Sequence, residues 1–298
     1  MCRLFTLAAG GILLSILVVV FGWRSADSAM ADRFIPNIPA AVDEGNQVPV
    51  LMYHKVNPDP RVGGLGLRVP PDKFNREMAF LYRNGFHTVS LTDLVAHFRE
   101  GRPLPPRPVV ITFDDGYRDN YTYAFPILKK YHFTATIFVV AGTVGGINSF
   151  DVRKHLQPVN RMADWAELKQ MAAYGITIGS HTMTHPHLAK VSPAEARRQI
   201  EESKMVLEKH LGRPVQVFSY PYGSFNARVV GLVEQSGYLA AVTTVQGING
   251  PRTNPFLLKR VRIMGSYDMP KFVRELFRYY RPSGGRAAPA RPAGRRAA

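Results

Sequence analysis

The sequence has one cysteine, Cys2, and it precedes the first apolar run. Without a second thiol no disulfide can form within the chain, so the core must be held by packing alone. Cys2 also lies too early to follow that run as a lipoprotein cysteine would. The run itself, Leu4 to Trp23, has no polar face, which argues against a helix packed on the body of the fold. Arg3 precedes it and Ala29-Met30-Ala31 follows, the layout of a secretory signal with an A-x-A cleavage site. Its length is close to the roughly 20 residues of a bilayer-spanning helix, which keeps an uncleaved anchor open. Residues 1–31 are therefore read as signal peptide or signal anchor, and residues 32–47 as a linker. The body is expected to be exported: periplasmic, secreted, or anchored to an inner membrane and facing outward.

Acidic residues are scarce. Lys and Arg number 38 against 22 Asp and Glu, for a formal net charge of +16. Arginines 281, 286, 291, 295 and 296 supply part of this, within an Arg/Ala/Gly/Pro stretch that lacks periodicity and cannot bury enough apolar surface to order itself. Residues 281–298 read as a disordered basic tail. An exported protein rarely meets nucleic acid, so nucleic acid is excluded as a partner. Anionic lipid or envelope polymer suits the charge better.

The remaining 48–280 is the size of one large α/β domain. It shows no internal repeat; short apolar runs alternate with amphipathic segments instead. Strands are expected at 48–54, 108–113, 134–140, 176–180, 215–221, 239–244 and 257–263. Helices are expected at 71–85, 121–131, 165–173, 193–210, 227–236 and 270–279. Gly85 and Gly237 mark helix ends, and Ser192, Pro193 and Glu195 form a capping box with proline in the first turn. About seven strands alternating with helices imply a parallel sheet closed, or nearly closed, into a β/α barrel. In such a fold the chemistry gathers where strands end and loops begin.

Three polar groups stand at such ends. Thr112-Phe113-Asp114-Asp115-Gly116 places two adjacent carboxylates after a β-branched run. Read structurally, one aspartate caps the next helix and the other faces solvent. The second group, Ser180-His181-Thr182-Met183-Thr184-His185-Pro186-His187, carries three histidines, and Pro186 disfavours helical geometry at His185, so they converge within a loop. Two imidazoles and a carboxylate would hold zinc or a neighbouring metal and leave positions for water and substrate. His187 is the surplus histidine. In the third, Phe218-Ser219-Tyr220-Pro221-Tyr222-Gly223, a strand runs into a proline turn whose backbone N–H groups can face a developing oxyanion. Nothing resembles a phosphate cradle, which sets a phosphodiesterase aside. Asp164 and Trp165 either border a sugar groove or, as the plainer reading has it, Trp165 anchors its helix.

Taken together, TFDDG and SHTxxH resemble the polysaccharide deacetylases of the NodB-homology type, carbohydrate esterase family 4, over nearly the whole body. The resemblance implies a distorted (β/α)7 barrel and a divalent metal, most often Zn2+ with Co2+ or Ni2+ as alternatives, held by Asp115, His181 and His185. It also implies Asp114 as general base, Thr182 as a brace of the histidine loop, and the Tyr222 backbone N–H as an oxyanion donor. The substrate class implied is an acetylated polysaccharide or oligosaccharide built on N-acetylglucosamine. Two departures follow. Ser219 stands where most of the family has arginine, and no histidine follows His210 to serve as the usual acid. Leu51-Met52-Tyr53-His54-Lys55-Val56 resembles instead the circularly permuted subgroup that includes poly-β-1,6-N-acetylglucosamine deacetylases. That likeness gives the acid role to His54, whose ordinary pKa is near 6.5, and points to Arg260 as replacement for the missing arginine. An O-acetyl esterase and a non-catalytic sugar-binding module on the same scaffold are the alternatives.

Overall fold

The computed structural model describes residues 46–280. The expected signal segment, nearly all of the linker and the basic tail lie outside the described residues. Among the described residues no helix is long and apolar enough to cross a membrane.

Runs of β-branched and aromatic residues form most of the strands, several of them buried along their whole length, as expected where helices cover a parallel sheet. In chain order these are β1 (Val50–Tyr53), β2 (Lys55–Val56), β3 (Arg68–Val69), β4 (His87–Thr88), β5 (Pro108–Phe113), β6 (Thr136–Val139), β7 (Thr177–Ser180), β8 (Val217–Ser219), β9 (Ala240–Gln246) and β10 (Leu258–Arg262). The order β1-β10-β9-β8-β7-β6-β5 closes on itself through β1–β5 pairing, giving a parallel (β/α)7 barrel with β4 added beside the start of β5. The seven expected strands are the seven staves. β2 and β3 form a separate two-stranded sheet.

Registers align the strand ends on one rim. Tyr53 stands opposite Phe113, Val139 opposite Ser180, and Ser219 opposite Val242. The residues that follow, His54, Asp114 and His181, leave the sheet at that rim. Pairing continues past the end of β5, where the Asp114 N–H donates to the Tyr53 carbonyl at 3.0 Å. Between β9 and β10 the register shifts between Leu258 and Arg260. Such an irregularity re-aims side chains, and here the Thr243 carbonyl accepts from Arg260 Nε at 2.8 Å.

The expected helices form at Pro71–Arg83, Phe125–Lys130, Trp165–Tyr174, Pro193–Leu211, Ala227–Gln235 and Met269–Phe277. Several corrections apply. The stretch before Phe125 is a π turn, Asn120–Ala124, and Asn120 Nδ2 donates to the His54 carbonyl at 2.8 Å. Only the serine half of the capping box at Ser192 forms, because the Glu195 carboxylate is taken by Arg198 and Gln199. Helix Leu91–Glu100 was not anticipated, although Ser90 and Asp93 cap it reciprocally.

Candidate metal and acyl-transfer site

At the rim, Asp115, His181 and His185 bring one donor atom each into a buried cluster whose members lie within 4.8 Å of one another. Asp115 Oδ1 is 3.5 Å from His181 Nε2 and 3.4 Å from His185 Nε2, and the two Nε2 atoms are 3.1 Å apart. Ligands at about 2.0–2.1 Å from one tetrahedral zinc are spaced about 3.3–3.4 Å apart, so the triangle suits a shared ion. His181 Nδ1 lies 2.7 Å from the Ser219 carbonyl. It must donate there, which leaves the Nε2 lone pair facing the cluster. Burial lowers the pKa of both histidines, favouring the neutral, ligating form. Burial raises the Asp115 carboxyl well above its usual range, and the nearby Asp114 and Asp151 add to this. A dication at that place would favour the ionised form instead. The residues present therefore fit a metal; His187 lies outside the cluster, stacked on Tyr222 at 4.1 Å between ring centroids.

The backbone carries strain here. Seven non-glycine residues among those described have positive φ, and four belong to this rim: Asp115, Thr182, His185 and Tyr222. Left-handed geometry costs a non-glycine residue energy and persists where the surroundings impose it. Gly116, at φ 81°, makes the sharp turn possible; a Cβ there would meet Val139 atoms at 3.2 Å. Thr182 Oγ1 accepts from the His185 N–H at 3.0 Å, which closes the histidine loop.

Asp114 occupies a different environment. Arg260 is fully buried and grips it with two hydrogen bonds, Nη1 to Oδ1 at 2.8 Å and Nη2 to Oδ2 at 2.7 Å. Ser219 Oγ donates to Asp114 Oδ1 at 3.3 Å, and Arg260 Nη1 reaches Thr112 Oγ1 at 3.2 Å. Burial alone would raise the Asp114 pKa, but the guanidinium charge and its paired bonds more than offset this and hold the carboxyl well below its usual range. His54 Nε2 stands 3.9 Å from Asp114 Oδ2. Burial lowers the His54 pKa to about 3, with Asp114 opposing the shift and Arg260 adding to it. These shifts favour an ionised Asp114 beside a neutral His54 over the partly protonated imidazole of an ordinary histidine.

The turn after β8 places Tyr222 at φ 57°, with its hydrogen bonds donated by Gly223 and Ser224 to the carbonyls of Tyr220 and Pro221. The Tyr222 ring contacts His185 at 4.4 Å between centroids. Trp165 takes the plainer of its two readings: partly buried against the core, it stacks on His210 at 4.0 Å, while Asp164 caps its helix. Sequence reasoning missed Lys55 and Phe150. Buried Lys55 lies over the Tyr117 ring and donates to Val62 O and Gln157 Oε1 at 2.7 and 3.1 Å, joining two rim loops. Its only signal was its place directly after His54; Phe150 had none.

Comparison with known proteins agrees with this geometry. Residues 101–241 match the model of the polysaccharide deacetylase family. The Bacillus subtilis (strain 168) protein YxkH, itself assigned to the polysaccharide deacetylases, is 32% identical over 217 residues, covering 73% of this chain and 71% of that protein. The chain belongs to the polysaccharide deacetylase family. Poly-beta-1,6-N-acetyl-D-glucosamine N-deacetylase of Escherichia coli (strain K12) is 25% identical over 241 residues, which cover 70% of this chain but only 36% of that enzyme. Among solved structures, the Streptococcus pyogenes deacetylase PplD in complex with acetate superposes with a TM-score of 0.67 at 25% identity, covering 77% of this chain and 98% of that one.

Proposed function

We propose that the protein is a metal-dependent hydrolase that removes N-acetyl groups from an N-acetylglucosamine-containing polysaccharide, releasing acetate. The observation that carries this is the juxtaposition of the buried Asp115, His181 and His185 donors with an Asp114 kept ionised by Arg260. Asp115, His181 and His185 would hold the ion, most readily zinc given two imidazoles and one carboxylate. When bound, the ion supplies Lewis acidity that polarises the acetyl carbonyl and acidifies water.

The chain's own groups supply the rest. Asp114, ionised at rest, accepts a proton from the attacking water, and Arg260 keeps both its oxygens in fixed directions. Negative charge develops on the former carbonyl oxygen, and the Tyr222 N–H would share it. That same charge raises the proton affinity of neighbouring His54, against the burial that keeps it neutral at rest. Water's proton then passes by way of Asp114 and His54 to the sugar nitrogen as the C–N bond breaks. Acetate and a free amine result, and both carboxylate and imidazole return to their starting states.

Two features support an amide over an O-acetyl ester: an imidazole next to the base to protonate a poor leaving group, and the name of the Escherichia coli relative. Export of the chain, through the segment ahead of residue 32, belongs to the same reading. The test is acetate release from chitooligosaccharides, β-1,6-linked N-acetylglucosamine oligomers, peptidoglycan and acetylxylan, with added zinc, cobalt or chelator. Release from an aminosugar polymer that stops with chelator is expected. Release from acetylxylan alone would make the protein an esterase, and release from none would leave a binding module.

A further inference from the structure

The two histidines of the cluster are oriented by different means. His181 has its hydrogen bond to the Ser219 carbonyl, whereas the buried Nδ1 of His185 has no hydrogen-bond partner among the described residues. Its backbone stands at φ 60°, so the local chain does not relax into place either. What the ring has is packing. Phe150 lies on it at 4.5 Å between centroids, and Tyr222 meets it edge-on at 4.4 Å. Two aromatic neighbours at such separations leave a buried ring little room to turn, and a flip about Cβ–Cγ would put a ring carbon in place of Nε2 at the cluster.

Phe150 sits in the short helix Ser149–Val152. The segment is tied to the site at several points. Asp151 Oδ2 accepts from Tyr117 OH at 3.3 Å, and Lys154 Nζ approaches Tyr222 OH at 3.4 Å. Upstream, the Ala141 and Gly142 N–H groups donate to the carbonyls of Thr182 and Met183 at 3.0 and 2.9 Å, within the histidine loop itself.

We infer that Phe150, with the Tyr222 ring, is a positioning residue for His185, doing by aromatic packing what the Ser219 carbonyl does for His181. The inference rests on the ligand role proposed for His185. It makes the 141–154 loop part of the metal site although it contributes no donor atom. Metal affinity should then depend on the shape and aromaticity of residue 150.

Zinc affinity of the full chain, stripped of metal and titrated against a chelating dye, tests this with Phe150→Ala, Phe150→Leu, Phe150→Tyr and His185→Ala. The cobalt-loaded absorption spectrum is the second readout. Partners of metal-bound histidines set affinity on a scale of about 10–100-fold. Phe150→Ala and Phe150→Leu should weaken zinc binding by about that factor and shift the cobalt bands, while Phe150→Tyr stays near wild type. The leucine variant, which keeps most of the volume, decides the matter if alanine compromises folding. Wild-type affinity and spectrum in Phe150→Leu, with binding lost in His185→Ala, would overturn the clamp alone. Unchanged binding in His185→Ala would remove the ligand reading beneath it.

Discussion

Asp114 and Asp115 are adjacent in sequence, yet the two halves of the site they belong to are built on opposite electrostatic plans. On one side Asp114 has a permanent cation, Arg260, on both carboxylate oxygens. On the other, Asp115 faces two neutral imidazoles, with Asp151 nearby and Lys55 and a hydrogen bond from Tyr117 opposing the rise in its pKa. The first half is charge-balanced by the protein. The second could be balanced by an ion, and on the proposed function that is how two carboxylates stand side by side at a buried rim. Neighbouring acids in contrasting surroundings are how one fold assigns different roles to identical groups.

The sharpest way to break that contrast is to neutralise one partner at a time. Asp114→Asn should keep zinc binding and lose turnover by roughly 10²–10⁴-fold, the scale of a positioned acid or base, as read by acetate release at saturating metal. Next in size is Arg260→Ala, which leaves a buried carboxylate without its cation. Breaking a buried pair in this way costs about 3–5 kcal/mol, measurable by urea unfolding. The pH dependence sharpens this. Because the folded-state pKa of Asp114 is depressed, its stabilisation is present above the ordinary carboxylate range and is lost as the pH falls below it. Arg260→Ala should flatten that acid-side loss. A wild-type acid profile in the variant would mean that the guanidinium does not control Asp114.

The smallest effect is expected at Ser219→Ala. The Ser219 backbone carbonyl, which holds His181, is untouched, and the hydroxyl makes only long contacts of 3.3 and 3.4 Å to Asp114 and Arg260. Loss of about 1 kcal/mol corresponds to a rate change of roughly fivefold, with zinc affinity unchanged. A large loss of metal would place Ser219 in the wrong half.

The barrel staves were readable because each is a short, largely apolar run set between amphipathic segments, and several are followed directly by polar rim residues such as His54, Asp114 and His181. Asp114, Asp115, His181 and His185 were readable for a related reason: each lies in a compact motif directly after a strand. Arg260 was reached only through the resemblance and its place in the last strand. Its contact with Asp114 spans 146 residues, and it depends on a register shift that no local pattern announces. His54 shows what burial adds, since its residue type gives an ordinary pKa and its surroundings lower it to about 3. Helix Leu91–Glu100 was missed despite its Ser90/Asp93 cap because β4 ahead of it is two residues long and gives no apolar run. Phe150 acts wholly through tertiary contacts, so nothing in its immediate sequence marks it, and Lys55 is marked only by its place directly after His54.

The central claim, that adjacent aspartates divide into one metal-facing and one proton-accepting group, is tested most directly by calorimetric titration of zinc into metal-free Asp114→Asn and Asp115→Asn chains. The account predicts stoichiometric binding close to wild type in the first and loss of binding in the second. Equal loss in both, or binding retained by Asp115→Asn, would contradict it.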